Sequence, residues 1–154
     1  MKELRITKYN PQNRDSNGAY LDQNGWTCFS EVGEKLTLEE YEKVENAYID
    51  SAIELIFHHP EDELFIRGLE EHDGPSGLSE GDRITETSMP TVLKKVLRNE
   101  CWCRLESESN FIHIGYDYYM YVGASVLTKN NLATIEARGL YVESSISPYN
   151  NKTE

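Results

Sequence analysis

Apolar positions recur along this chain with two different periods, and the change from one to the other marks out its elements. From Tyr41 they return at three- and four-residue steps through Val44, Tyr48, Ala52 and Leu55, with Ile49, Ile53 and Ile56 widening the stripe. Glu39, Glu42, Lys43, Asn46 and Asp50 fall elsewhere on the wheel, so the period predicts an amphipathic helix lying on a core. Its start is written in Thr37-Leu38-Glu39-Glu40, a capping box in which the threonine oxygen accepts from the third amide and Glu40 reaches back. The two acids of the first turn also complement the helix dipole. His58-His59-Pro60 ends the helix, because the residue before a proline avoids helical angles. A second helical stripe, Met89, Val92, Leu93, Val96 and Leu97, follows Ser88 as a cap and Pro90 in the first turn. A third helix is expected from Lys129 to Arg138, stopped by Gly139 as a left-handed cap.

Elsewhere the period is two. Leu4 and Ile6 alternate with Arg5 and Thr7, which predicts an opening strand. Residues 63–70 read as another, with Leu64 and Ile66 facing in. From Cys101 the alternation predicts two antiparallel strands, 101–105 and 110–123, joined through Glu106-Ser107-Glu108-Ser109. Within the second, Ile112, Ile114, Tyr116, Tyr118, Met120 and Val122 share one face, and His113, Asp117, Tyr119 and Tyr121 share the other. Leu140-Tyr141-Val142-Glu143 returns as a short last strand. Between these elements, residues 10–18 are a run of turn-formers, and Tyr20 and Trp26 around Asp22-Gln23-Asn24-Gly25 suggest a short hairpin. Residues 71–82 form a long, polar, glycine-rich loop of the kind that is functional or mobile in compact domains. The tail, 144–154, is polar and expected to fray. The sum is one α+β domain over residues 1–154, with a mainly antiparallel sheet, about three helices packed largely on one face, and the 101–123 hairpin at its centre.

A length of 154 residues with 38% apolar content fits one globular domain. Charge changes the picture more. The chain carries a net −12, and residues 31–86 alone hold 17 acids against four bases, while residues 87–154 balance seven of each. Such a block keeps a protein soluble without any partner, and it equally steers a basic partner toward it. Nucleic acid as a direct ligand is disfavoured, since binding it requires a basic face. No window approaches the roughly 18 to 20 apolar residues of a membrane span. The opening MKELRITKYNP lacks the apolar stretch of a signal peptide, which points to the cytoplasm.

Chemistry is sparse in the sequence. Cys28, Cys101 and Cys103 are an odd count suited to a reducing compartment, and the histidines at 58, 59, 72 and 113 supply no zinc-ligand spacing. No phosphate loop or nucleophile elbow occurs, so no cofactor and no enzymatic activity are expected. Glu71-His72-Asp73 lies in the polar loop, where a preorganised acid–base pair lacks rigid support. His113 and Asp117, two pleats apart on one strand face, are the best placed for a small enzyme. Against that stands a binding reading. The acids of the loop, Glu70, Glu71, Asp73, Glu80 and Asp82, would approach a basic cleft, with Asp117, Tyr119 and Tyr121 as a second contact group.

Two end motifs carry a resemblance. Arg5-Ile6-Thr7-Lys8-Tyr9-Asn10-Pro11, with Arg14-Asp15, Gly18-Ala19-Tyr20 and Trp26-Thr27, and then Gly115-Tyr116-Asp117-Tyr118-Tyr119-Met120-Tyr121, resemble small bacterial immunity proteins of contact-dependent growth inhibition and related polymorphic toxin systems. The similarity runs through about Glu143, and 58–86 looks like a variable insertion within it. It implies a cytoplasmic protein that binds one cognate toxin, often a nuclease, by covering or distorting its active site. No catalytic residues come with it. An adaptor or regulatory domain with another partner is the alternative.

Overall fold

Thr37 Oγ1 accepts the Glu40 amide at 3.1 Å, and the Glu40 carboxylate accepts the Thr37 amide at 3.0 Å, so the first helix begins where its capping box implies. The structure, a computed structural model, describes residues 1–10, 12, 26 and 28–150. The hairpin expected around residues 20–26 and most of the turn run at 10–18 lie outside the described residues, as do Arg14, Asp15, Gly18, Ala19, Tyr20 and Thr27 of the first end motif.

In chain order the elements are β1 (Lys2–Thr7), α1 (Leu38–Ile56), β2 (Leu64–Glu71), β3 (Arg83–Ile84), α2 (Met89–Leu97), β4 (Cys101–Glu106), β5 (Phe111–Ile114), β6 (Met120–Ala124), α3 (Lys129–Ala137) and β7 (Tyr141–Ser144). The seven strands form one antiparallel sheet in the order β3-β2-β4-β5-β6-β1-β7. The fold is therefore α+β with the 101–123 segment at the centre of the sheet.

Strand register divides the sheet cleanly into two faces. Ile66, Leu105, Ile112, Val122 and Leu4 are cross-strand neighbours in one row, and all are buried with the apolar stripes of α1 and α2. Ile114 and Met120 pair beside them, so the inward face expected for 112, 114, 120 and 122 is the one observed. Cys101 and Cys103 pack with them as small apolar groups, and burial pushes the Cys103 thiol up to about 12. On the opposite face the row reads Arg67, Arg104, His113, Tyr121, Arg5 and Glu143.

Four expectations need correction. Residues 110–123 are two strands, not one: the chain reverses through a tight helical turn at Tyr116–Tyr118, and β5 pairs with β6. The alternation that ran through Tyr116 and Tyr118 therefore breaks, leaving Tyr116 88% exposed while Tyr118 is buried. Ser88 does not cap α2 with its side chain. It already has helical angles, and its hydroxyl accepts the Thr85 amide at 2.9 Å, closing the turn before the helix. The tail does not fray as far as Asn150: Ser147 is buried, and the Tyr149 ring packs on Trp102 with centroids 5.3 Å apart. Finally, the 71–82 loop is tied down by its own acids, as described below.

One buried pair went unread. Glu45 has no exposed surface, and Arg98, just past α2, forks onto it with Nε–Oε2 at 2.9 Å and Nη2–Oε1 at 3.0 Å. This bond raises the Arg98 guanidinium pKa and fastens α2 to α1. The signal was available: Glu45 lies between Tyr41 and Tyr48 on the buried stripe, and a buried carboxylate there requires a cation.

Candidate functional site

The β5–β6 reversal creates the site. A five-residue link cannot turn back tightly on extended tyrosines, so Asp117 and Tyr118 take left-handed angles, φ 55° and φ 61°. For residues with a Cβ this is costly, by about 1 kcal/mol or more each. The strain is held by what it delivers. Tyr118 drops into the core, where its hydroxyl donates to the Leu97 carbonyl at 2.6 Å and lies 2.9 Å from Tyr41 Oη. Since the Tyr118 proton goes to a carbonyl, Tyr41 is the donor in the second bond. The two rings meet edge-on, Trp26 packs tilted on Tyr41 and edge-on to Tyr118, and Tyr48 meets Tyr118 edge-on. Burial pushes the pKa of both hydroxyls upward, so both remain protonated.

Above the buried Tyr118 a cleft of about 560 Å³ opens between this turn, the end of α2 and the start of β4. Trp102 and Tyr149 form one wall, and the exposed Tyr116 stands at its rim. The Trp102 indole N–H donates to the Ile114 carbonyl at 2.7 Å, which fixes the ring. Gly115 admits the tail: a Cβ there would lie 3.2 Å from Tyr149 Oη and 3.3 Å from the Tyr121 ring. Glu70, the cross-strand partner of Trp102, and Asp117 line the same cleft. His72 joins them, its Nδ1 donating to the Asn99 carbonyl at 3.0 Å. The three non-glycine residues with positive φ among the described residues, Asn99, Asp117 and Tyr118, all line this one cavity.

The sequence-nominated residues sort into two kinds. Glu70 and Asp117, named in separate groups, meet at the cleft. Glu71, Glu80 and Asp82 are occupied by groups of the loop and of β2. Glu71 accepts from the Ser76 amide at 2.7 Å and its hydroxyl at 3.0 Å, and Asp82 accepts the Ser79 amide at 2.9 Å. Glu80 accepts the amides of Leu69 and Gly68, both at 2.9 Å, and these bonds hold its carboxyl below the ordinary value, with Arg67 and Arg104 adding to the pull. Asp73 is exposed. Tyr119 is half-buried under the Arg5 guanidinium, 4.5 Å from its ring centroid. Tyr121 is only 8% exposed, beneath Tyr149, so the expected open tyrosine face is corrected to a covered one.

His113 and Asp117 are not brought together. His113 is fully buried, stacked on Phe111, and Asp117 lies in the exposed turn. Burial lowers the imidazole pKa against the pull of Glu106, which keeps the ring neutral. Its Nε2 donates to Glu106 at 2.7 Å, so Nδ1 accepts from the Ser147 hydroxyl, also at 2.7 Å. This serine–histidine–glutamate row fastens the tail to the sheet, since Ser147 is only 4% exposed. The sequence did not point to Ser147, Tyr149 or Trp102, because a polar tail carries no period that would place it on the sheet. Among the described residues no group of three or more His, Cys, Asp or Glu is placed to hold a metal, and no helix is long and apolar enough to cross a membrane. No protein-family model, curated protein or solved structure matches the chain. The resemblance to immunity proteins therefore rests on its quoted residues alone.

Proposed function

We propose that this domain is a cytoplasmic binding protein that neutralises a basic protein partner, a toxin nuclease domain, by covering its active site. One observation carries the binding reading. Glu70 and Asp117, far apart in sequence, come to the same aromatic-walled cleft on a chain of net charge −12. A nuclease presents lysines and arginines to hold phosphates, and clustered carboxylates beside aromatic area are complementary to such a surface. The narrower identity of the partner comes from the end motifs and their resemblance to toxin-immunity proteins. No metal, cofactor or nucleic acid is needed for this role.

The test begins with the gene immediately upstream: a toxin-bearing C-terminal domain there favours this reading and its absence favours the adaptor, and such a domain is co-expressed with this protein. The expected result is a stable complex, loss of nuclease activity in the mixture, and rescue of growth. A folded protein that neither binds nor rescues against that domain overturns the toxin reading. Binding to a basic protein that is not a toxin would establish the adaptor alternative instead.

A further inference from the structure

We infer that the cleft between Trp102, Tyr116 and Tyr149 is a receptor for a single arginine side chain projecting from the partner. This rests on the proposed basic character of the partner, not on its being a nuclease. The first ground is charge. Glu70 and Asp117 are exposed and their carboxylates have no hydrogen-bond or ion-pair partner among the described residues, and no lysine or arginine lines the cleft. Glu71, Glu80 and Asp82 of the neighbouring loop are consumed by backbone amides, whereas these two, which line the cleft, are left available to an incoming cation. The second ground is shape. A volume of about 560 Å³ suits a small group with its flanking backbone, within the usual range for ligand pockets. The third is chemistry. Trp102 spends its only donor on Ile114, and the cleft then offers ring faces and acceptors. His72 also lines the cleft, with its Nδ1 donating to the Asn99 carbonyl at 3.0 Å.

Ring faces combined with two carboxylates favour a guanidinium over an ammonium. The planar group stacks on an aromatic ring and still directs its five N–H donors sideways to two acids. A lysine can satisfy the charge but not the stacking plane. The left-handed turn contributes by aiming: at Asp117 it raises the carboxylate to the rim and at Tyr118 it sinks the ring to the floor. Asparagine tolerates the same angles, so the charge can be removed there without disturbing the turn.

The experiment titrates the isotope-labelled full chain with a capped Gly-Arg-Gly peptide, against the same peptide carrying lysine or the neutral isostere citrulline. Amide shifts are expected at Glu70, Asn99 and residues 115–118, and at the Trp102 indole. Citrulline should bind at least about tenfold more weakly, because the charge-assisted bonds are gone. The double variant Glu70→Gln/Asp117→Asn, with unchanged amide dispersion elsewhere, should lose at least about tenfold. Equal binding of arginine and citrulline, shifts centred elsewhere, or an unaffected double variant overturns the inference. Binding of the arginine peptide without neutralisation of any nuclease leaves the receptor standing and removes the toxin reading. Neutralisation undiminished in the double variant does the reverse.

Discussion

The β2–β3 loop and the β5–β6 turn are both irregular and both carry carboxylates at the surface, yet those carboxylates are employed in opposite ways. In the loop, Glu71, Glu80 and Asp82 point back at amides of their own chain and act as internal fasteners. In the turn, the Asp117 carboxylate fastens nothing among the described residues, and the backbone bonds from Gly115 N–H to the Tyr119 carbonyl at 2.7 Å and from Tyr119 N–H to the Tyr116 carbonyl at 3.1 Å hold it in place. In the proposed binding role, a carboxylate is open to an incoming cation only when the local backbone does not claim it. Counting acids along the sequence assigns the loop the greater weight, whereas the proposed role gives it to Asp117 in the turn and to Glu70, which line one cleft.

Four measurements bear on this contrast. The largest effect belongs to Tyr118→Ala, which removes the ring that anchors the turn. Chemical denaturation should show a loss of about 3 to 5 kcal/mol, the range for emptying a buried aromatic site. A loss under about 1 kcal/mol would mean that the turn holds itself without the core. Next, reversing Glu70 and Asp117 to lysine together should slow association with a basic partner about tenfold at low ionic strength. Stopped-flow runs in high salt should show the gap shrink, because exposed charges are screened. Asp73→Lys in the loop should change the same rate by less than about twofold, and a larger effect there would restore the loop as the steering element.

Third, Glu80→Ala should cost about 1 kcal/mol, a modest figure because the carboxylate is exposed. The pH dependence has a definite sign. The folded-state pKa of Glu80 is depressed below its ordinary 4.5, so its contribution is present above that value and fades as pH falls through the folded one. Urea titrations of wild type and variant should therefore differ at neutral pH and converge in acid. A gap independent of pH would assign the effect to lost packing. The smallest effect is Asp117→Gly, which relieves the left-handed strain. It should raise stability by about 0.5 kcal/mol while weakening binding, and thermal melts with a binding assay separate the two.

Legibility followed the same division. Helix α1 was readable down to its cap because Thr37 and Glu40 sit at the one spacing that closes a capping box, and the helix-facing row of the sheet was readable because alternation and burial agree at Ile112, Ile114, Met120 and Val122. The reversal at 115–119 was not, since Tyr116 and Tyr118 continue the alternation while the backbone leaves it. A tyrosine forced left-handed announces nothing in sequence; only the tertiary contacts of its ring make that conformation stable. The cleft was half legible for the same reason. Its acids were named individually, but Trp102 and Tyr149 become neighbours only through the placement of the tail.

The position of β1 has a consequence for how the molecule assembles. The first strand of the chain is hydrogen-bonded to β6 and β7, near the other end of the sequence, whereas β4, β5 and β6 follow one another through short connections. The meander can form from local contacts, but β1 must wait for a loop spanning more than a hundred residues to close. Contact order of this kind slows folding well beyond what the three helices alone would require. During synthesis β1 gains its first strand partner only when β6 emerges, and its second when β7 follows α3.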